Sequence, residues 1–196
     1  MRRRLARAIN AEAGELNAAL AGFALFFCLF CGYFMLRPIR ESMGIQAGVE
    51  HLQWLFTATF VAMLLAVPLF AWLNSQVPRR RFVDWVFGVF ALQLLLFAGL
   101  FASLGDSVWL ARAFYVWISV YNLFVVSVAW SLMADVFDSE QAKRLFAFIA
   151  AGASVGGLVG PALSALLVST LGQSGLILLA AVLLAVALSL KQVLMR

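Results

Sequence analysis

Six long apolar runs constrain this chain more than any other feature of its sequence. Each has the length of about 20 residues that a helix needs to cross a ~30 Å hydrocarbon core. The runs are 17–37, 52–73, 82–104, 108–133, 145–171 and 173–190. They are apolar at nearly every position, unlike the alternating strands of a transmembrane β-barrel. The sequence therefore predicts an all-α, polytopic membrane protein in which residues 1–196 form one bundle of six transmembrane spans.

Composition and the scarcity of reactive groups argue against a soluble enzyme. Hydrophobic residues make up 65% of the 196 residues and charged residues 12%, whereas soluble domains carry about a quarter charged residues. Cys28 and Cys31 lie in the apolar interior of span 1, which favours packing over redox chemistry. Ser154 has the G-x-S-x-G spacing of serine hydrolases, but the one histidine, His51, is predicted at a different depth in the membrane. We expect no enzyme activity, no metal and no cofactor.

The basic residues predict how the chain is oriented. Short loops rich in Lys and Arg stay in the cytoplasm. Eleven of the fourteen basic residues precede span 1, join spans 2 and 3 or spans 4 and 5, or follow span 6: Arg2, Arg3, Arg4, Arg7, Arg79, Arg80, Arg81, Lys143, Arg144, Lys191 and Arg196. We therefore predict cytoplasmic termini in a bacterial inner membrane, with Arg37, Arg40 and Arg112 on the outer side. The net charge of +5 reflects this topology and does not indicate a surface that binds nucleic acid. The expected partner of these basic residues is the lipid bilayer.

Polar residues recur on one face of span 1 and on one face of span 4. They are Tyr33, Arg37, Arg40 and Glu41 in span 1, and Arg112, Tyr115, Ser119 and Asn122 in span 4. Such residues usually face a cavity or another helix, and we expect Arg37 to pair with Glu41 at i+4. Because guanidinium binds phosphate or carboxylate at two points, these eight are candidate residues for binding an anionic substrate. The alternative for Arg37 and Arg40 is anchoring in the outer headgroups.

Span 5 carries three glycines spaced by four residues. Gly152, Gly156 and Gly160 fall on one helix face, where a neighbouring helix can approach closely, and Pro161 follows. Two interpretations stay open, plain helix packing and a bend used in conformational change. We assign conformational or packing roles to seven residues, namely Gly152, Gly156, Gly160, Pro161, Arg79, Arg80 and Asp135.

Two segments resemble motifs of the major facilitator superfamily. The stretch "GLVGPALSA", residues 157–165, preceded by Gly156, is similar to the G-x-x-x-G-P-x-x-G-G motif of the fifth span in that superfamily. The loop "AWLNSQVPRR", residues 71–80, resembles its G-x-L-x-D-R-x-G-R-R loop at Leu73, Arg79 and Arg80. This resemblance implies the N-terminal six-helix half of a secondary transporter, with a missing C-terminal half or a second copy as its partner.

Two further segments resemble a narrower group, the ATP/ADP translocase-like nucleotide carriers and their bacterial relatives. The first span of that group ends in a pattern like Y-x-x-L-R-x-x-K-D, matched here by Tyr33, Leu36, Arg37, Arg40 and Glu41. The connection between spans 4 and 5 is matched by Trp130, Ser131 and "EQAKRLF". The resemblance implies exchange or symport of a small organic anion, with a nucleotide as the leading candidate. The alternative is a non-transporting scaffold or assembly protein of the membrane.

Overall fold

The computed structural model describes residues 12, 14–46, 48–105 and 107–195, without the side chains of residues 49, 79 and 80, and all regular secondary structure in this part of the chain is helical. Its long helices are α1 Glu15–Gln46, α2 Leu52–Gln76, α3 Arg79–Leu104, α4 Val108–Val136 and α5 Ser139–Leu194, and a 3-10 helix, Val49–His51, precedes α2. All five are long and apolar enough to cross a membrane. The predicted all-α membrane fold is confirmed. The orientation signals Arg2, Arg3, Arg4, Arg7 and Arg196 lie outside the described residues.

Helix α5 contains both of the last two predicted spans. Within α5, all of which the structure describes, only Gly172 has non-helical backbone angles, with φ 64° and ψ −175°. This region is populated almost only by glycine. Gly172 separates a first arm, residues 139–171, from a second arm, residues 173–194. The predicted boundary between spans 5 and 6 falls at this residue. The prediction of six separate membrane-spanning helices is not matched, because the described residues form five long helices.

The two arms of α5 run in opposite directions along α1. A Cβ atom added to Gly160, in the first arm, would lie 2.6 Å from the carbonyl oxygen of Cys31. A Cβ atom added to Gly32, the next residue of α1, would lie 3.7 Å from the carbonyl oxygen of Ala180 in the second arm. Because residues 160 and 180 meet α1 at the same depth, the chain reverses between them at Gly172.

Helix α1 is the centre of the bundle and extends beyond the predicted end of span 1. It packs against both arms of α5 and against α4, whereas α2 packs mainly against α4. The prediction ended span 1 at Arg37, but α1 continues through Pro38 to Gln46. Ile39 and Met43 are buried in the main apolar core, so the apolar face keeps its helical spacing after the charged residues begin. The candidate arginines therefore lie inside a helix.

Candidate functional site

Arg40 and Glu41 of α1 meet Tyr115 of α4 at the end of the bundle where α1 ends and α4 begins. The Nε atom of Arg40 donates to the carbonyl oxygen of Tyr115 at 3.4 Å, and its Cζ atom lies 4.0 Å from the centre of the Tyr115 ring. Its Nη1 atom donates to Oε1 of Glu41 at 2.8 Å. The side chain of Arg40 is 16% exposed and that of Glu41 is 54% exposed. The guanidinium of this partly buried side chain is thus held by a hydrogen bond, an aromatic face and a carboxylate.

The ring of Tyr115 is a rigid support for this guanidinium. Tyr115 is only 1% exposed and packs with Leu55 and Leu52 of α2 in a small apolar cluster. The ring of Phe56 meets it edge-on, with 6.3 Å between the ring centres. On the α1 side, a Cβ atom added to Gly44 would lie 2.9 Å from Cε2 of Tyr115. Contacts from α1 and α2 therefore hold the ring in place.

Ser119, one turn along α4, shares an acceptor with Arg40. Its hydroxyl donates to the carbonyl oxygen of Tyr115 at 3.3 Å, the same oxygen that accepts from Arg40 Nε. Asn122 is partly buried farther along the same helix face. The structure thus brings Arg40, Glu41, Tyr115 and Ser119 together, and we call these four residues the Arg40 cluster.

The prediction that Arg37 forms an ion pair with Glu41 is wrong. Glu41 pairs with Arg40, because Tyr115 holds the Arg40 guanidinium beside it. Arg37 is exposed, and its Cζ atom lies 5.8 Å from the centre of the Phe34 ring in the preceding turn, the direction that helical side chains favour. Tyr33 also meets Phe34, edge-on, with ring centres 5.1 Å apart. Tyr33 and Arg37 therefore group around Phe34 and not in the Arg40 cluster.

Arg112 lies in a separate groove between α2 and α4. Its Cζ atom is 5.0 Å from the centre of the Trp109 ring. The groove has a volume of about 480 Å³ and is lined by His51, Trp54, Leu55, Ala58, Trp109, Arg112, Ala113 and Val116. Neither Arg40 nor Tyr115 is among these described lining residues. The helical spacing that joins Arg112 to Tyr115 in sequence therefore does not place them in one pocket.

The three spaced glycines of the first arm of α5 face the backbone of α1. A Cβ atom at Gly156 would lie 2.6 Å from the carbonyl oxygen of Phe27, and one at Gly160 would lie 2.6 Å from that of Cys31. A Cβ atom at Gly152 would overlap the carbonyl oxygen of Phe23. The contacts advance by four residues on both helices, so the helices run parallel. We call this contact the glycine seam.

The helix of the first arm continues through Pro161, the residue after the last glycine of the seam. The contact with the α1 backbone is the arrangement that the packing interpretation requires. A conformational role for the glycines and for Pro161 stays a prediction.

The opposite end of the bundle contains the other residues assigned a conformational or packing role. Arg79 and Arg80 are the first residues of α3, after Pro78. Asp135 lines a cavity of about 20 Å³, together with Asn74 of α2 and Ser131 of α4, and such a volume holds about one water molecule. Three polar residues thus share a mainly apolar cavity at this end, while the Arg40 cluster lies at the other end of α4.

Two ion pairs at this second end were missed by sequence reasoning. Arg144 Nη2 lies 3.1 Å from Oε1 of Glu15, which joins the first arm of α5 to α1. Lys191 Nζ lies 2.8 Å from Oδ1 of Asp84, which joins the second arm to α3. Both Arg144 and Lys191 were orientation signals, and Arg144 also belongs to the "EQAKRLF" resemblance, but neither was assigned an ion-pair partner. An acidic residue near the start of each facing helix was the signal that could have revealed the pairs.

Comparison with known proteins gives one family match. The model of the Major Facilitator Superfamily matches residues 18–195, which include almost all of the helical part of the chain. No curated protein and no solved structure matches the chain.

Proposed function

Because the chain belongs to the major facilitator superfamily, a family of membrane transporters of small solutes, we propose that it takes part in secondary active transport of a small organic anion. The observation that carries the proposal is the Arg40 cluster. Tyr115 holds the guanidinium of Arg40 in place with its Nη1 edge toward Glu41. A planar, fixed guanidinium suits a phosphate or carboxylate group, which it can bind through two parallel hydrogen bonds.

Transport also requires a second unit. Major facilitator-type folds alternate access by moving one six-helix bundle against another around a shared site. We propose that this chain supplies the N-terminal bundle, and that a C-terminal half or a second copy supplies the other. The anion would then bind between the Arg40 cluster and the partner bundle, by exchange or by symport.

A nucleotide is the leading substrate candidate, and it rests on resemblance to the ATP/ADP translocase-like carriers at Tyr33, Leu36, Arg37, Arg40 and Glu41. The phosphates of a nucleotide match the charge that a guanidinium prefers. The alternative function is a non-transporting scaffold or assembly protein of the membrane that docks a partner. Saturable uptake into liposomes separates the two, because a scaffold produces no flux.

The main experiment replaces Arg40 and uses Arg37 as a matched control on the same helix. Arg40→Lys should weaken the apparent affinity for the anion about five- to a hundredfold, because lysine lacks the planar fork; this corresponds to about 1 to 3 kcal/mol. Arg37→Lys should leave affinity nearly unchanged, since a long cation at an exposed position suffices for anchoring. The measurement is concentration-dependent uptake of labelled ATP and of labelled organic anions by reconstituted liposomes. Unchanged affinity and rate in Arg40→Ala would overturn the proposal.

We further propose that this multi-pass protein lies in a bacterial inner membrane with both termini cytoplasmic, as its basic residues indicate. In a variant whose Cys28 and Cys31 are replaced, a single cysteine at Gly48 should react with an impermeant thiol reagent in intact cells. A single cysteine at Ser139 should react only after the cells are broken. The reverse labelling pattern would invert every sidedness assignment.

A further inference from the structure

We propose that Glu41 is a tethered competitor for the anion, so that its carboxylate occupies the guanidinium of Arg40 when no substrate is bound and must leave for substrate to enter. The inference rests on the proposed function in one respect, that Arg40 is the residue that binds the anion. It gives Glu41 a role opposite to that of a residue that holds the substrate.

The geometry of the ion pair supports displacement. Neighbouring residues of a helix point about 100° apart and do not normally face each other. Arg40 and Glu41 nevertheless meet at 2.8 Å, because Tyr115 holds the guanidinium through its ring and its carbonyl oxygen. The ion pair thus depends on contacts that Tyr115 makes with Arg40 and not with Glu41.

The partners of Arg40 differ in how easily they can leave. Tyr115 is buried between α1 and α2, and its carbonyl oxygen belongs to the backbone of α4. Glu41 is 54% exposed, so its side chain can turn into water while Arg40 stays in place. The carboxylate of Glu41 accepts one hydrogen bond from Nη1, a donor that a phosphate or carboxylate bound at two points would also use. Glu41 and substrate therefore compete for this donor.

Replacement of the Glu41 carboxylate by a substrate anion also keeps the positive charge of Arg40 compensated. The charge of an arginine whose side chain is only 16% exposed would be costly to leave without a counter-charge. Glu41 supplies that charge when the site holds no substrate. The substrate supplies it when bound, so Arg40 is compensated in both states.

The test measures anion binding by the purified chain in detergent, with inorganic phosphate as the probe. Thermal unfolding midpoints are recorded against phosphate concentration at constant ionic strength, with chloride as the replacement salt. Glu41→Gln should lower the half-maximal phosphate concentration about two- to fivefold, the range expected when a partly exposed ion pair no longer competes. Glu50→Gln is the matched control, since Glu50 is an exposed acid in the 3-10 helix after α1 and its replacement removes the same charge. It should behave as wild type.

The outcomes separate this inference from the proposed function. An unchanged or higher half-maximal concentration in Glu41→Gln overturns the inference, as does the absence of any phosphate effect in that variant. An equal gain in Glu50→Gln also overturns it, because general electrostatics would then explain the result. Loss of the phosphate effect in the double variant Arg40→Lys with Glu41→Gln supports it. If phosphate binding follows these expectations while liposome uptake is absent, the transport proposal fails and the competitor role stands.

Discussion

Helices α1 and α5, which form the glycine seam, are about as apolar as α2, but the seam and the outer face of α2 are used in opposite ways. At the seam, a Cβ atom on Gly156 would lie 2.6 Å from the carbonyl oxygen of Phe27, so two backbones are in direct contact. Along α2, all of whose residues the structure describes, only Leu55 and Thr59 are buried. The large exposed side chains of α2 are Trp54, Phe56, Phe60, Val61, Leu64, Leu65, Val67, Leu69, Trp72 and Leu73.

The difference shows what decides burial inside a membrane. Lipid tails are as apolar as leucine, so large apolar side chains gain little by leaving lipid for protein. Small residues instead let backbones approach closely, and the gain comes from dense van der Waals contact. Spacing of small residues, and not hydropathy, therefore separates the fixed interior of this bundle from the face that remains open to lipid or to a partner.

The largest expected effect comes from filling the seam. Gly156→Ala should lower the free energy of unfolding by about 3 kcal/mol, because the added methyl group would meet backbone atoms that cannot move aside. Gly99→Ala, on α3, is the matched control because a Cβ atom there meets nothing within 4 Å. It should be neutral or stabilise by up to about 1 kcal/mol through helix propensity. Denaturant titration of both variants in detergent checks this, and equal tolerance would contradict the seam.

An intermediate effect is expected from the ion pair between the second arm of α5 and α3. Asp84→Asn should cost about 1 to 2 kcal/mol, because it removes the Asp84 carboxylate from Nζ of Lys191, whose side chain is only 6% exposed. The cost is below that of a fully buried pair, since Asp84 is 47% exposed. The double variant Asp84→Leu with Lys191→Met should recover most of the loss in the same titration. If Asp84→Asn equals wild type, solvent already screens the pair.

The smallest effect is expected on the open face of α2. Leu64→Ala should change the free energy of unfolding by no more than about 0.5 kcal/mol, because the side chain is exposed and leaves no cavity. Leu36→Ala makes the same chemical change at a fully buried position of α1 and should cost about 2 kcal/mol or more. If both variants lose equal stability, the contrast between the two regions is wrong.

The sequence predicted those features that depend on local composition. The all-α architecture followed from the apolar runs, and the boundary between the runs 145–171 and 173–190 marked the place where α5 reverses. The end of α1 was missed because hydropathy falls at Arg37, although the buried face continues to Met43. Local sequence patterns identify the helices but predict their ends poorly when a charged residue lies on one side of a helix that continues.

The arrangement of the candidate site depended on distant residues and could not be predicted. Arg40 reaches Tyr115, 75 positions away, and this contact turns it toward Glu41 and not toward solvent. Arg112 and Tyr115 share a helix face by spacing, yet Arg112 lies in a groove with Trp109 while the ring of Tyr115 lies against Arg40, and Leu55 borders both. Helical periodicity gives the direction of a side chain but not the neighbour that covers it.

The reversal at Gly172 bears on how the last two spans enter the bilayer during synthesis. A single non-helical residue joins the two arms of α5, so almost no hydrophilic chain has to be carried through the hydrocarbon layer to reach the far side. The arms can then leave the insertion machinery together as a helical hairpin. A side chain at residue 172 would force a backbone conformation that costs about 1 to 3 kcal/mol. That cost would oppose the hairpin itself and not the seam with α1, because a Cβ atom at residue 172 meets nothing within 4 Å.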